Sequence, residues 1–128
     1  MKIFYFTLFV ILSFCSLVAA QFPVHIKTFG GNGDDSAFDI VLTSDGGYAM
    51  AGSSSSFNNG NTDVLLIRLD SSGNQQWARV YGGTASDQAL QLVQTPDGGF
   101  AIAGKTSSFG AGDFDAMLLK TDAAGNLQ

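Results

Sequence analysis

Short apolar runs separated by glycine- and aspartate-rich turns make up most of the chain. The runs that read as strands are Phe38–Thr43, Tyr48–Gly52, Asp63–Leu69, Gln75–Tyr81, Leu90–Thr95, Phe100–Gly104 and Asp115–Lys120. The glycine spacing between them leaves no window long enough for a stable helix. The tetrads Ser44-Asp45-Gly46-Gly47 and Pro96-Asp97-Gly98-Gly99 suit tight hairpins, because glycine accepts a positive φ without a Cβ clash. The pattern predicts an all-β protein.

The order of large and small side chains predicts how the strands pack. In Tyr48–Gly52 and Phe100–Gly104 bulky residues alternate with alanine, which puts them on opposite faces of a strand. Sheets that stack closely need small residues on one of the two facing surfaces. The continuous apolar run Val64–Ile67 is typical of a strand that is covered on both faces. We therefore expect stacked sheets.

Most of the chain is one unit written twice. Gly30-Gly31 recurs as Gly82-Gly83, and Asp45-Gly46-Gly47-Tyr48 recurs as Asp97-Gly98-Gly99-Phe100, in both cases 52 residues later. Asp70-x-x-Gly73-Asn74 recurs at the same spacing as Asp122-x-x-Gly125-Asn126, so residues 25–76 align with 77–128 without a gap. A fixed period of about 50 residues is the signature of a repeat architecture.

Four antiparallel strands per unit, buried on both sides, describe the blade of a β-propeller. The predicted organisation is a leading strand at residues 21–29, a first blade at 30–81 and a second blade at 82–128 that lacks its last strand. The fold class we expect is all-β, with two tandem four-stranded antiparallel blades, the second incomplete, forming a partial propeller.

The combination of motifs resembles a known family. Trp77-x-x-x-x-Gly82-Gly83-x-x-x-Asp87, Asp97-Gly98-Gly99-Phe100 and Asp122-x-x-Gly125-Asn126 are similar to the roughly 50-residue repeat of secreted and cell-surface β-propeller proteins. The resemblance covers essentially residues 24–128. It implies a propeller fold, an extracellular location and usually no assigned catalysis, and it supplies no catalytic residue.

Two blades are fewer than a closed propeller contains, since propellers have roughly four to eight. Two isolated blades expose hydrophobic faces and strand edges, which favours aggregation. The chain is therefore interpreted either as a fragment with missing blades or as a piece that closes by self-association, for which a ring of identical chains is the simplest form.

The first twenty residues have the layout of a secretory signal peptide. Lys2 precedes a nearly unbroken apolar run from Ile3 to Phe14, and the segment closes on small residues ending at Ala20. The alternative is an uncleaved membrane anchor, because the run is nearly long enough to span a bilayer. Cleavage after Ala20 predicts a secreted protein that has no membrane attachment.

The charge and the cysteine content of the chain bear on which functions it can have. The chain carries 11 acidic residues, every one an aspartate, against 6 lysines and arginines, for a net charge of −5. No basic surface suggests a nucleic-acid partner. The one cysteine, Cys15, lies in the predicted signal peptide, so the mature chain would form no disulfide.

The most acidic cluster is the candidate metal site. Asp34 and Asp35 lie in the loop Gly31-Asn32-Gly33-Asp34-Asp35, and Ca²⁺ prefers flexible loops that offer several oxygens. The spacing lacks the alternating acids of an EF-hand loop. The competing and favoured interpretation is that Asp35 and its equivalent Asp87 accept backbone N–H bonds within a turn. No other cofactor is expected.

Other polar and aromatic motifs are predicted to be architectural. Asp70 and Asp122 are expected to lock turns, and Trp77 is expected to pack between blades, with Gly46, Gly47, Gly98 and Gly99 shaping hairpins. Phe57 and Phe109 follow serine-rich loops, where an aromatic ring either contacts a ligand such as a sugar or packs under its own loop. His25 is the only histidine, so a zinc site or histidine-dependent triad has no support.

The sequence therefore predicts a secreted, non-catalytic repeat protein that acts as a scaffold or a binding surface for protein or glycan. The alternative is a subdomain of an extracellular carbohydrate-active hydrolase that uses an aspartate pair as acid and base. The aspartates without an acidic equivalent 52 residues away are Asp34, Asp39 and Asp113.

Overall fold

The computed structural model describes residues 26–57 and 61–128, and β-strand is the only regular structure in them. The strands are β1 (Asp35–Leu42), β2 (Tyr48–Ser54), β3 (Asp63–Leu69), β4 (Gln75–Tyr81), β5 (Asp87–Gln94), β6 (Phe100–Thr106) and β7 (Asp115–Thr121). The all-β prediction is confirmed. The predicted signal peptide and His25 lie outside the described residues, among which no helix is long and apolar enough to cross a membrane.

The strands form two antiparallel sheets in which chain neighbours pair. We call β1–β4 the first sheet and β5–β7 the second sheet. β1, β2, β5 and β6 extend further into polar sequence than the apolar pattern predicted. The register of the first strand shifts at the same place in both sheets, between Ala37 and Asp39 and between Ala89 and Gln91. The repeat of the sequence is thus a repeat of the fold.

Each sheet has an alanine face and a bulky face, because side chains alternate along a strand. The register places Ala51 opposite Leu66 on one face and Met50 opposite Ile67 on the other. The alanine faces carry Val41, Ala49, Ala51, Val64 and Leu66 in the first sheet and Val93, Ala101, Ala103, Ala116 and Leu118 in the second. The bulky faces carry Ile40, Tyr48, Met50, Leu65 and Ile67, and Leu92, Phe100, Ile102, Met117 and Leu119.

The main core lies where the alanine face of the first sheet packs against the bulky face of the second. Ala49, Ala51 and Leu66 meet Phe100 and Ile102 there, and all five are almost completely buried. The alanines let the backbones of the two sheets approach, and the bulky residues fill the space between them. The predicted division of large and small side chains is confirmed.

The expectation that both units are buried on both sides holds for β3 of the first sheet. It is incomplete on the bulky face of that sheet, where Ile40 is 56% exposed, and it is wrong for the second sheet. Every residue of β3 is buried. On the alanine face of the second sheet, however, Leu118 is 78% exposed and Val93 is 56% exposed. The reason is that no other described element lies against that face.

The predicted leading strand is not formed in its described part. Residues 21–25 lie outside the described residues, and residues 26–29 belong to no strand. A strand needs a partner for its backbone hydrogen bonds, and none of the seven strands pairs with this segment. Instead, Phe29 packs on the bulky face of the first sheet with Leu65 and Ile67.

The second sheet has three strands. Beyond β7 the chain makes an isolated bridge between Thr121 and Leu127, and the Gln128 N–H donates to the Lys120 carbonyl at 3.0 Å. No described strand pairs with the rest of the outer edge of β7. An open groove of about 480 Å³ runs along this edge, lined by Phe109, Met117 and Leu127 among others.

Candidate functional site

The turns after β3 and β7 are built around single aspartates. The Asp70 carboxylate accepts the Ser72 N–H at 2.9 Å and the Asn74 N–H at 2.8 Å, and it also bonds the Asn74 amide. Asp122 makes the same bonds to Ala124 and Asn126. These contacts satisfy the turn backbone, as such side chains do in Asx-turns. Asp70 and Asp122 thus bond the backbone of the turns in which the sequence places them.

A second pair of aspartates shapes the hairpins of the two sheets. Asp45 accepts the Thr43 hydroxyl at 2.7 Å and the Gly47 N–H at 3.1 Å, and Asp97 makes the equivalent bonds to Thr95 and Gly99. Gly46 and Gly98 have φ values of 83° and 80°, a region that glycine enters without strain. A Cβ at Gly47 or Gly99 would press on the carbonyl of Leu69 or Thr121.

Each of these hairpin carboxylates also meets a cation. The buried Arg68 guanidinium pairs with Asp45 at 2.5 Å, whereas the half-exposed Lys120 ammonium pairs with Asp97 at 2.9 Å. The Thr43 hydroxyl, the Gly47 N–H and Arg68 lower the pKa of Asp45 to about 2. The Thr95 hydroxyl and Lys120 likewise hold the pKa of Asp97 far below its usual range. Both carboxylates stay ionised and serve the fold.

The opposite ends of the sheets are closed by serine loops, which we define as residues 30–34 with 55–57 and 82–86 with 107–114. Asp35 accepts the Gly31 N–H at 2.8 Å and the Ser56 hydroxyl at 2.5 Å. Asp87 makes the same contacts with Gly83 and Ser108, at 2.9 and 2.6 Å. Each aspartate thus ties the loop before its own strand to the loop after the next one.

The hydrogen bonds at this end determine the charge of the two aspartates. Burial alone would raise the pKa of Asp35, but bonds from Ser54, Ser56 and the Gly31 N–H outweigh it and lower the pKa. For Asp87 burial also opposes ionisation, and bonds from Ser108, Thr106 and Gly83 again give a lowered pKa. A structural carboxylate of this kind fits the turn interpretation of Asp35.

The two aspartates of the candidate calcium site have different surroundings. The Asp35 carboxylate is engaged by its own loop, while Asp34 is exposed and uses its backbone N–H and carbonyl to bond Ser55. In residues 26–57 and 61–128 no three acidic, histidine or cysteine side chains are grouped closely enough to hold a metal ion. Calcium binding at Asp34 and Asp35 stays a prediction from sequence.

Carboxylates of the two repeats come together at Gly82. A Cβ at that glycine would meet the side chains of both Asp63 and Asp87, which are buried. Sequence reasoning did not find this pair, because it joins the start of β3 to the start of β5. Burial alone would raise the pKa of Asp87, but hydrogen bonds from Ser108, Thr106 and Gly83 outweigh it and lower the pKa, so this carboxylate stays ionised at neutral pH.

The candidate ligand-contact aromatics lie at the serine-loop end. Phe57 and Phe109 are 54% and 58% exposed. Each ring rests beside the glycine of its own loop, Gly31 or Gly83. Each therefore packs on its loop with one side and leaves the other side open to solvent. Phe109 additionally borders the groove along β7.

Contacts of several kinds join the two sheets beyond apolar packing. The Trp77 ring meets Phe100 edge-on, with centroids 6.1 Å apart, and lies against Gly125. The Tyr81 hydroxyl donates to the Gly125 carbonyl at 2.6 Å. The Asp39 carboxylate accepts the Leu92 N–H at 2.7 Å. Trp77 therefore packs between the sheets, and nothing in the sequence indicates the contacts of Tyr81 and Asp39.

Comparison with known proteins identifies no family and finds a distant similarity. The chain matches no model of a known protein family. It is similar to the regulatory protein FlaEY of Caulobacter vibrioides, with 26% identity over 98 residues. The match covers 66% of this chain and 10% of that protein, so the chain spans about a tenth of its relative.

Proposed function

We propose that the protein is a secreted, non-catalytic repeat protein of the β-propeller type that serves as a scaffold and a binding surface for protein or glycan. The observation that carries the proposal is the head-to-tail stacking of two equivalent sheets. An alanine face against a bulky face is a packing rule that further copies of the unit can continue. Secretion rests on residues 1–20 of the sequence.

The lowered pKa values and the hydrogen bonds of the carboxylates support a scaffold rather than a hydrolase. Six aspartates have a lowered pKa, and every one of them accepts hydrogen bonds from a turn or loop: Asp35, Asp45, Asp70, Asp87, Asp97 and Asp122. A general acid at neutral pH needs the opposite shift. Asp39, one of the three unmatched acids, binds the Leu92 N–H between the sheets.

The binding surface we favour is the serine-loop end, because it presents Phe57 and Phe109 on loops that are hydrogen-bonded to Asp35 and Asp87. Aromatic rings offer a flat apolar surface to a sugar ring or an apolar side chain. The test is a printed glycan array probed with the wild type and with the double variant Phe57→Ala/Phe109→Ala. We expect binding that falls at least tenfold in the double variant. The matched control is Phe38→Ala, which removes an exposed ring of β1 that lies outside the serine loops.

A panel of glycoside substrates tests the competing class. We expect no turnover by the wild type. Turnover that Asp34→Asn or Asp39→Asn abolishes, in variants that keep the wild-type circular dichroism spectrum, would replace the scaffold by a hydrolase. Secretion is checked by the intact mass of protein recovered from the culture medium, which should correspond to a chain beginning at Gln21.

A further inference from the structure

We propose that the bulky face of the first sheet, together with residues 26–29, is a docking site for the second sheet of another copy of this chain. The proposal deepens the scaffold function proposed above and relies on it only for the repeat architecture. The evidence is that the two sheets already make this contact within one chain. The contact joins an alanine face to a bulky face. A second alanine face, on the second sheet, and a second bulky face, on the first sheet, are still exposed in part.

The first step concerns residues 26–29. Their placement on the first sheet is equivalent to the placement of the end of β4 on the second sheet. Lys27 is the equivalent of Arg79 at the 52-residue spacing, and Phe29 is the equivalent of Tyr81. The Arg79 side chain lies over Gly125, and the Lys27 side chain lies over the equivalent Gly73. The segment therefore occupies the place that the fourth strand of a preceding sheet would take.

Lys27 is held at that place by defined bonds. Its ammonium donates to the Ser72 carbonyl at 2.9 Å and to the Asn74 side chain at 2.9 Å. The cover is nevertheless partial. A cavity of about 190 Å³ remains between this segment and Met50, and Ile40 is 56% exposed on the same face. Residues 26–29 lie where one strand of a preceding sheet would lie, and the space of the neighbouring strands is open.

The second step concerns what fits that space. In the contact within the chain, an alanine face with Val41, Ala49 and Leu66 covers a bulky face with Leu92 and Ile102. The alanine face of the second sheet presents the equivalent Val93, Ala101 and Leu118 to solvent. The bulky face of the first sheet presents Ile40 and Met50, the equivalents of Leu92 and Ile102. A second copy therefore brings the matching surface.

The third step concerns the missing strand. Among the described strands none pairs with the outer edge of β7 as β4 pairs with β3, and this edge borders an open groove. In the first sheet Tyr81 lies opposite Val64 and Arg79 lies opposite Leu66. Transferred by the 52-residue spacing, this register places Phe29 of one copy opposite Ala116 of the next and Lys27 opposite Leu118. Docking would thus complete the three-stranded sheet and cover the face at once.

The contact is heterologous, since it joins two different surfaces, and such contacts make rings when the rotation closes. Each copy supplies two sheets, and propellers close at about four to eight. The expected assembly is therefore a ring of roughly two to four chains.

Light scattering during size-exclusion chromatography of the purified protein tests the docking. We expect a wild-type mass of two to four chains. Leu118→Asp and Ile40→Asp, which change exposed side chains on the two proposed surfaces, should each give the mass of a single chain. An equimolar mixture of the two variants should form a dimer, because each retains the surface that the other has lost. Phe57→Asp, which changes an exposed ring of the loop after β2 outside both surfaces, should assemble like the wild type.

Disulfide trapping tests the register. In a Cys15→Ser background, Lys27→Cys and Leu118→Cys chains mixed under mild oxidation should give a cross-linked dimer, whereas Lys27→Cys with Phe114→Cys should not. A monomeric wild type would overturn the proposal, and so would an Ile40→Asp variant that assembles normally, which would point to another occupant of the alanine face. A monomer that still binds the glycan array would leave the proposed function intact.

Discussion

Leu66 and Leu118 occupy equivalent positions in the two sheets, yet Leu66 is completely buried and Leu118 is 78% exposed. The opposite faces reverse the order: Ile40 of the first sheet is 56% exposed, and its equivalent Leu92 of the second is 2% exposed. The residues are of the same kind, and the strands have the same register. What differs is which face of each sheet has a neighbour, so burial here depends on position in the stack.

The largest expected effect is a difference in stability loss between substitutions of the equivalent Leu66 and Leu118. Leu66→Ala removes a fully buried side chain between the sheets and should lower the free energy of unfolding by about 2–5 kcal/mol. Leu118→Ala changes an exposed residue and should lower it by less than about 0.5 kcal/mol. Urea titration at a concentration dilute enough to keep the chain monomeric measures both values. Equal losses in the two variants would contradict the stacking order.

The next comparison concerns the acceptor of a hydrogen bond between the sheets. Asp39 of the first sheet accepts the Leu92 N–H, and its equivalent in the second sheet is Gln91. Asp39→Ala removes the acceptor of the Leu92 N–H and should cost about 1–3 kcal/mol, because a partly buried donor loses its partner. The matched control is Gln91→Ala, at the equivalent and exposed position of the second sheet, which should be nearly neutral. A neutral Asp39→Ala variant would show that water replaces the carboxylate without loss.

A smaller effect is expected at Tyr81, whose hydroxyl bonds the Gly125 carbonyl across the interface. Burial raises the pKa of this phenol to about 12. Tyr81→Phe should lower the free energy of unfolding by about 0.5–1.5 kcal/mol. Tyr48→Phe, which removes a phenolic hydroxyl from the bulky face of the first sheet, is the control and should change stability less. The same urea titration ranks the two.

The smallest difference between the sheets is expected in acid, since both contain the same aspartate locks. A carboxyl whose pKa is lower in the folded than in the unfolded state stabilises the fold above its unfolded pKa, and the contribution is lost as the pH falls through the folded value. With an ordinary value of 3.8 and a folded pKa of about 2 for Asp45, the loss falls between about pH 4 and pH 2. Thermal unfolding followed at pH 7, 4 and 2 should show a nearly constant melting temperature down to about pH 4 and a fall below it. A melting temperature that rises below pH 4 would contradict the aspartate locks.

The turn chemistry was predictable from the sequence, and the contacts at the serine loops were only partly so. Asp70 and Asp45 each sit within a few residues of the backbone groups that they bind, so a local motif describes them. The Ser56 and Ser108 hydroxyls reach aspartates 21 residues away, across two strands. The approach of Asp63 and Asp87 at Gly82 joins different repeats. Local spacing contains no information on such pairs until the strands are aligned.

The sequence alone determined the strands, the repeat and the division of every sheet into a bulky and an alanine face. These features follow from the two-residue alternation of side chains and from glycine and aspartate at turns, and both act over a few residues. The tertiary structure alone decided which face of which sheet is buried, that residues 26–29 lie on the first sheet without forming a strand, and that Asp39 and Tyr81 join the sheets. Those outcomes depend on which surfaces meet, and equivalent residues in two repeats carry the same local signal whether or not a neighbour covers them.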